Sequence, residues 1–166
     1  MGNEPLGFFD GPVVVVLNNT GISGDDFRSL VPHLRQFDRM AGLKLADTGV
    51  TDETLAALAE FAELRALDLT NTNITDAGLS EFQQLAQLRR LRLDGTGVTN
   101  AGLVHLVPLA RLQRLSLDGT AVGDAGMASL AGLKDLRLLS LSNTDVSDSG
   151  TATLYAALPM LEVSDD

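Results

Sequence analysis

The sequence predicts an α/β solenoid with short parallel strands on one face and short helices on the other. About six repeats and a terminal half-repeat are expected. Three observations carry that prediction. The pattern L-x-x-L-x-L returns every 24 residues, at Leu64/Leu67/Leu69, Leu88/Leu91/Leu93, Leu112/Leu115/Leu117 and Leu136/Leu139/Leu141. A threonine column (Thr20, Thr48, Thr72, Thr96, Thr120, Thr144) stands three residues after the last leucine of each unit. A β-branched column (Ile22, Val50, Ile74, Val98, Val122, Val146) stands two residues further on. A fixed period of this size marks coils that stack on one another, not a globule folded around one centre.

Each position in the unit has a physical reason. Leucines two apart lie on one face of a strand, and stacking places Leu67, Leu91, Leu115 and Leu139 in a ladder about 4.8 Å apart. The threonines are expected to turn inward and bond backbone groups left unpaired by a tight coil. Next come Ser23, Thr51, Thr75, Thr99, Gly123 and Ser147, mostly followed by an acid: Asp52, Asp76, Asp124, Asp148. A hydroxyl followed by an acid starts a helix, because the hydroxyl caps a free N–H and the carboxylate faces the positive end of the dipole. Apolar pairs at helical spacing follow: Leu55/Leu58, Leu79/Phe82, Leu103/Leu106 and Met127/Leu130.

Residues 1–12, MGNEPLGFFDGP, lie outside the repeat and read as an N-terminal capping segment, with Phe8 and Phe9 over the open end of the core. The repeat domain spans 13–166, with units starting near 13, 40, 64, 88, 112 and 136 and a half-repeat at 160–166. The first unit is 28 residues long from Leu17 to Leu45. Its helix is expected from about Asp25 to Val31, broken before Pro32, with Ser23 and Asp26 as a capping pair. Later strands are placed near 42–45, 66–69, 90–93, 114–117 and 138–141, and Pro108 ends the fourth helix at about Leu106. Met160, Leu161 and Val163 begin a further strand, closed by Ser164-Asp165-Asp166. Those acids either guard an open edge or mark a chain cut from something longer.

These motifs resemble the leucine-rich repeat signature L-x-x-L-x-L-x-x-(N/C)-x-L, with Thr at the Asn/Cys position, over roughly Val13 to Val163. The tail Thr75-Asp76-Ala77-Gly78-Leu79, nearly repeated at Thr99–Leu103, resembles the cysteine-containing, F-box-associated (ribonuclease-inhibitor-like) subclass and its bacterial relatives. The resemblance implies a right-handed arc, with the strands on its concave face and the helices on its convex face, that binds other proteins and is not an enzyme.

Bulk composition narrows the function classes. A chain of 166 residues suits one domain, and 45% apolar residues are enough for a core. No run approaches the ~20 apolar residues of a membrane span, and Met1-Gly2-Asn3-Glu4 lacks the basic start of a signal peptide. With no cysteine, neither a disulfide nor a thiolate metal site can form. A cytoplasmic address is favoured, the alternative being a fragment of a larger secreted or anchored protein. The net charge of −10 opposes nucleic acid as a partner.

No catalytic, cofactor or metal residue is expected. Asp47-Thr48-Gly49 matches an aspartic-protease triplet, yet Thr48 is in phase with the threonine column and Gly49 with Gly21 and Gly97. Such a site would also need a second aspartate sharing its proton, and Asp94-Gly95-Thr96 and Asp118-Gly119-Thr120 are scrambled. His33 and His105 each stand without spaced zinc ligands.

What remains is the face of the sheet. Residues flanking the ladder leucines point outward in three columns. The first is Val14, Gly42, Ala66, Arg90, Arg114, Leu138, Glu162, and the second Val16, Lys44, Asp68, Arg92, Ser116, Ser140, Ser164. The third is Asn18, Ala46, Thr70, Asp94, Asp118, Ser142. Lys44, Asp68, Arg90, Arg92, Asp94, Arg114 and Asp118 therefore form the candidate partner-binding patch. Its guanidinium forks either meet carboxylates of a partner protein or pair internally across strands. Val14 and Val16 also face outward, and are either covered by residues 1–12 or used in self-association. The expected protein is a monomeric protein-interaction module, with dimerisation through the N-terminal strand as the alternative. A structural component contacting partners through its ends is the second reading.

Overall fold

Among the described residues, seven strands lie side by side in the order in which they occur in the chain, and every neighbouring pair is parallel. The computed structural model describes residues 12–37 and 39–164. The strands are β1 (Val13–Val16), β2 (Met40–Lys44), β3 (Ala66–Asp68), β4 (Arg90–Arg92), β5 (Arg114–Ser116), β6 (Leu138–Ser140) and β7 (Glu162–Ser164). Parallel neighbours need a crossover. Each crossover here is a turn, a short helix and a leucine-bearing return. Phe8 and Phe9, expected to cap the open end of the core, lie outside the described residues.

The ladder register is the one the repeat predicts. Leu43, Leu67, Leu91, Leu115, Leu139 and Val163 pair in succession across β2–β7. The five leucines are buried, as are the second-column leucines Leu45, Leu69, Leu93, Leu117 and Leu141. The β-branched residues Val50, Ile74, Val98 and Val122 are also buried. Next to them run parallel bridges such as Thr51–Asn73 and Thr75–Gly97, a second, thinner ladder along the stack.

Two columns make the turn after each strand. Asn19, Asp47, Asn71 and Asn143 have φ between 53° and 58°, and Gly95 and Gly119 fill the equivalent place at 63° and 64°. This left-handed conformation is tolerated mainly by Asn, Asp and Gly. The next residue is the column threonine, whose hydroxyl donates to the carbonyl three residues back. Thr48→Leu45, Thr72→Leu69 and Thr96→Leu93 are each 2.6 Å. Asp47-Thr48-Gly49 is thus a turn whose residues have structural duties.

Helices on the other side are short. α1 (Gly24–Leu34) is the longest, and the Ser23–Asp26 pair caps it reciprocally. Contrary to the sequence expectation, this helix does not stop before Pro32 but runs through it. The proline removes one backbone donor. Phe27, Val31 and Leu34, at helical spacing, are all buried and hold the last turn in place. α2 (Asp52–Leu55) and α3 (Asp76–Leu79) each pass into a 3₁₀ turn, at Ala56–Glu60 and Ser80–Gln84. In the fourth unit Gly102–Leu106 is 3₁₀ throughout, ending where Pro108 predicts. The apolar pairs three residues apart suit that tighter winding. α4 (Asp124–Leu130) and α5 (Asp148–Ala157) complete the series.

The acids at these helix starts bind more than their own helix. Asp52 accepts from the backbone N–H and hydroxyl of Thr75 at 2.8 and 2.6 Å, and Asp76 repeats this with Thr99 at the same distances. Asn100 accepts from Gly123 N–H at 2.8 Å, and Asp124 from Ser147 N–H and hydroxyl at 2.7 Å each. From the second unit to the sixth, each is therefore clamped to the next. Room for the clamp comes from Gly78, Gly102, Gly126 and Gly150, where a Cβ would overlap the oxygen of Asp52, Asp76, Asn100 and Asp124 respectively.

A pH dependence follows. The Ser147 hydroxyl, then its N–H and the Ser149 hydroxyl, hold the Asp124 carboxyl below its ordinary range, and Ser23 does the same for Asp26. A lowered carboxyl stabilises the fold above its unfolded pKa, near pH 4, and the contribution disappears as pH falls through the lower folded value. The melting temperature should hold between about pH 7 and pH 5 and drop below about pH 4. Asp124→Asn should flatten part of that drop. Circular-dichroism melts across the range check it, and an identical acid limb in the variant would contradict it.

Candidate functional site

The outward face of the sheet carries the three columns in the predicted register. Ala66, Arg90, Arg114 and Leu138 are successive neighbours across β3–β6, and Lys44, Asp68, Arg92 and Ser116 across β2–β5. Strands only three residues long suffice here, since each contributes one buried leucine between two outward side chains.

Arg92 is largely committed within the protein. Its guanidinium lies 2.8 Å from Asp94 and 3.8 Å from Asp68, and its Nε donates to Asp94 at 3.0 Å. Partial burial disfavours its charge. The hydrogen bond and charge of Asp94, with the charges of Asp68 and Asp118, outweigh that and hold the group above its ordinary range.

The third column works inward as much as outward. Asp94 is buried and accepts from the Asp118 N–H at 3.1 Å, from the Ser116 hydroxyl and from Arg92. Asp118 accepts from the Ser142 N–H at 2.8 Å and the Ser140 hydroxyl at 2.7 Å. Asn18 does the same for Ala46 N–H at 2.9 Å. Side chains of this column thus satisfy the backbone of the following strand's exit, a duty the sequence reading did not assign them. The alternation of Asn18, Asp94 and Asp118 in phase with the repeat was the available signal. Asp68 is likewise occupied, by the Thr70 hydroxyl at 2.7 Å.

Arg90 and Arg114 differ. Both are exposed, they face each other across β4 and β5, and among the described residues neither side chain has an ion-pair or hydrogen-bonding partner. Lys44, also exposed, stands two strands away. Of the seven candidate residues, the sheet thus assembles all on one face but leaves mainly the cations available. Two shallow hollows flank the arginines. One, of about 170 Å³, is lined by Val14, Gly42, Ala66 and Arg90, and the other, of about 270 Å³, by Arg90, Arg114, Ser116 and Leu138.

Other candidate chemistry does not assemble. His33 is exposed on α1, and His105 is half-buried in the fourth unit's 3₁₀ turn. Among the described residues no group of three or more His, Cys, Asp or Glu could hold a metal ion, and no helix is long and apolar enough to cross a membrane.

Comparison with known proteins agrees with this architecture. The leucine-rich repeat family model matches residues 64–82. No curated protein matches the chain by sequence. Among solved structures, internalin C2 of Listeria monocytogenes is 24% identical with a TM-score of 0.63, covering 91% of this chain and 80% of that one. A leucine-rich repeat protein of Leptospira interrogans is 23% identical with a TM-score of 0.60, covering 79% of this chain and 32% of that one. An internalin (InlF) of L. monocytogenes is 23% identical with a TM-score of 0.54, covering 80% and 43%. The chain thus spans less than half the length of two of these three. At such identities the likeness establishes the fold.

Proposed function

We propose that the chain, a leucine-rich repeat solenoid, is a non-catalytic protein-binding module that works through the outward face of its parallel sheet. One observation carries this reading: Arg90 and Arg114 stand exposed side by side with no carboxylate paired to either among the described residues, in a chain whose net charge is −10. Like charges directly opposite on neighbouring strands are costly to keep unless something else meets them. Arg92, Asp68, Asp94 and Asp118 fix the surroundings of that pair, and Lys44 widens the positive region. The net charge argues against a nucleic-acid partner.

Capture from a lysate of the source organism tests the reading. A protein held by the wild type should be lost with Arg90→Ser/Arg114→Ser and kept with Val104→Ser/Val107→Ser, which alters exposed positions of the fourth unit's helical side. The reverse pattern would overturn it. A second reading, assembly through the solenoid's ends, is favoured by Val14 and Val16 on the terminal strand β1, which are 53% and 58% exposed. Light scattering separates the two, since concentration-dependent growth in mass belongs to the second.

A further inference from the structure

The chemistry of the free arginines and of the hollows beside them defines what the face would take, granted that the face is the binding surface. We infer that it binds an extended protein segment in which one acidic residue is flanked, two positions away on each side, by aliphatic residues.

The acidic requirement comes from the pair itself. Arg92 has its carboxylates at 2.8 and 3.8 Å, whereas Arg90 and Arg114 have none among the described residues. Two guanidiniums on adjacent strands can close on one carboxylate from both sides. The aliphatic requirement comes from what borders them. On the β3 side the first column shrinks to Gly42 and Ala66, and Val14 leans over the gap, with its Cγ2 3.0 Å from where a Gly42 Cβ would be. A hollow of about 170 Å³ results, walled by Val14 and Arg90. On the β6 side Leu138, half-buried, bounds the hollow of about 270 Å³ floored by Leu91 and Leu115.

Spacing sets the pattern. Strands stand about 4.8 Å apart, so the midpoint of Arg90 and Arg114 lies about 7 Å from Ala66 and about 7 Å from Leu138. An extended chain advances about 3.3 Å per residue and returns side chains to one face every second residue. A segment crossing the strands with its acid between the arginines therefore sets its neighbours two positions away over Ala66 and over Leu138.

Titration of the isotope-labelled protein by NMR, with the capped peptide Ser-Leu-Ser-Glu-Ser-Leu-Ser as probe, tests this. Saturable shifts should map to β3–β6 and include the Arg90 and Arg114 side-chain signals. Replacing the probe's Glu by Gln should weaken binding about tenfold or more, as should Arg90→Ser/Arg114→Ser, while Arg92→Ser should change it by less than about threefold. Exchanging both leucines for serine should also weaken it severalfold, and raising the salt should weaken the parent peptide more than the Gln form. Overturning results are the absence of saturable shifts at millimolar peptide, equal binding of the Gln peptide, or shifts that map to the helical side. Should the lysate test succeed and this titration fail, the face binds protein but not this pattern.

Discussion

Leu91→Ala is expected to lower the free energy of unfolding by about 2–5 kcal/mol. Leu91 lies between Leu67 and Leu115 in the ladder and is 1% exposed. The truncation removes buried apolar surface, and the space cannot close by a shift of the backbone. Strand β4 is held on both sides, by Leu69 N–H to Arg92 carbonyl and by Leu93 N–H to Ser116 carbonyl, at 3.0 and 2.9 Å. A domain's total stability is commonly about 5–15 kcal/mol, so the loss would be a large share of it. Urea unfolding should show a lower midpoint with an unchanged slope. Val163 occupies the same ladder on the terminal strand β7, where it is only half-buried and has one strand neighbour. Val163→Ala should therefore cost about 1 kcal/mol. Equal losses at both positions would contradict a stack whose interior units are supported from two sides.

The same contrast between local and neighbouring-coil interactions explains how much was legible in the sequence. Leucine spacing revealed the strands and their register, because period-two burial and a 24-residue repeat leave one way to align Leu67, Leu91 and Leu115. The threonine column was readable because its partner lies three residues back in the same turn. Asp52 was only half readable. A helix-start acid has a sufficient local explanation, and nothing local indicates that its oxygens reach Thr75, 23 residues on. Pro32 misled for the complementary reason. The local rule breaks the helix there, while burial of Val31 and Leu34 against the next coil continues it. For the outward face, the columns showed which side chains would be neighbours. They could not show that Asp94 and Asp118 would be occupied by serine hydroxyls and backbone N–H groups, leaving Arg90 and Arg114 as an adjacent pair of unmet charges.

Gly102→Ala should cost about 2 kcal/mol, and nearly nothing once Asp76 is also alanine. The added methyl would overlap Asp76 Oδ1 and press on Leu79 Cδ1. Asp76 can yield only by releasing the Thr99 N–H and hydroxyl, its two partners at 2.8 and 2.6 Å. Bonds to a charged acceptor are the stronger kind, and a half-buried donor left behind adds to the loss. In an Asp76→Ala background those bonds are already gone and the methyl meets only Leu79 Cδ1, 3.1 Å away, the far end of a side chain that can turn aside. Glycine's entropic disadvantage then favours alanine by about 0.5 kcal/mol. The chain contains its own version of this double exchange. In the first unit the acid position is Gly24, and the position facing it in the second unit is Thr54, not glycine. Thr54 turns its hydroxyl to its own helix, accepting from Thr51 N–H at 3.1 Å. The accepting side chain (Asp52, Asp76, Asn100 or Asp124) and the glycine facing it thus occur together or not at all, as expected if the glycine exists to admit the accepting oxygen. Thermal or urea unfolding of the wild type, both single variants and the double measures the coupling. Equal costs for Gly102→Ala with and without Asp76 would leave the glycine column without this explanation.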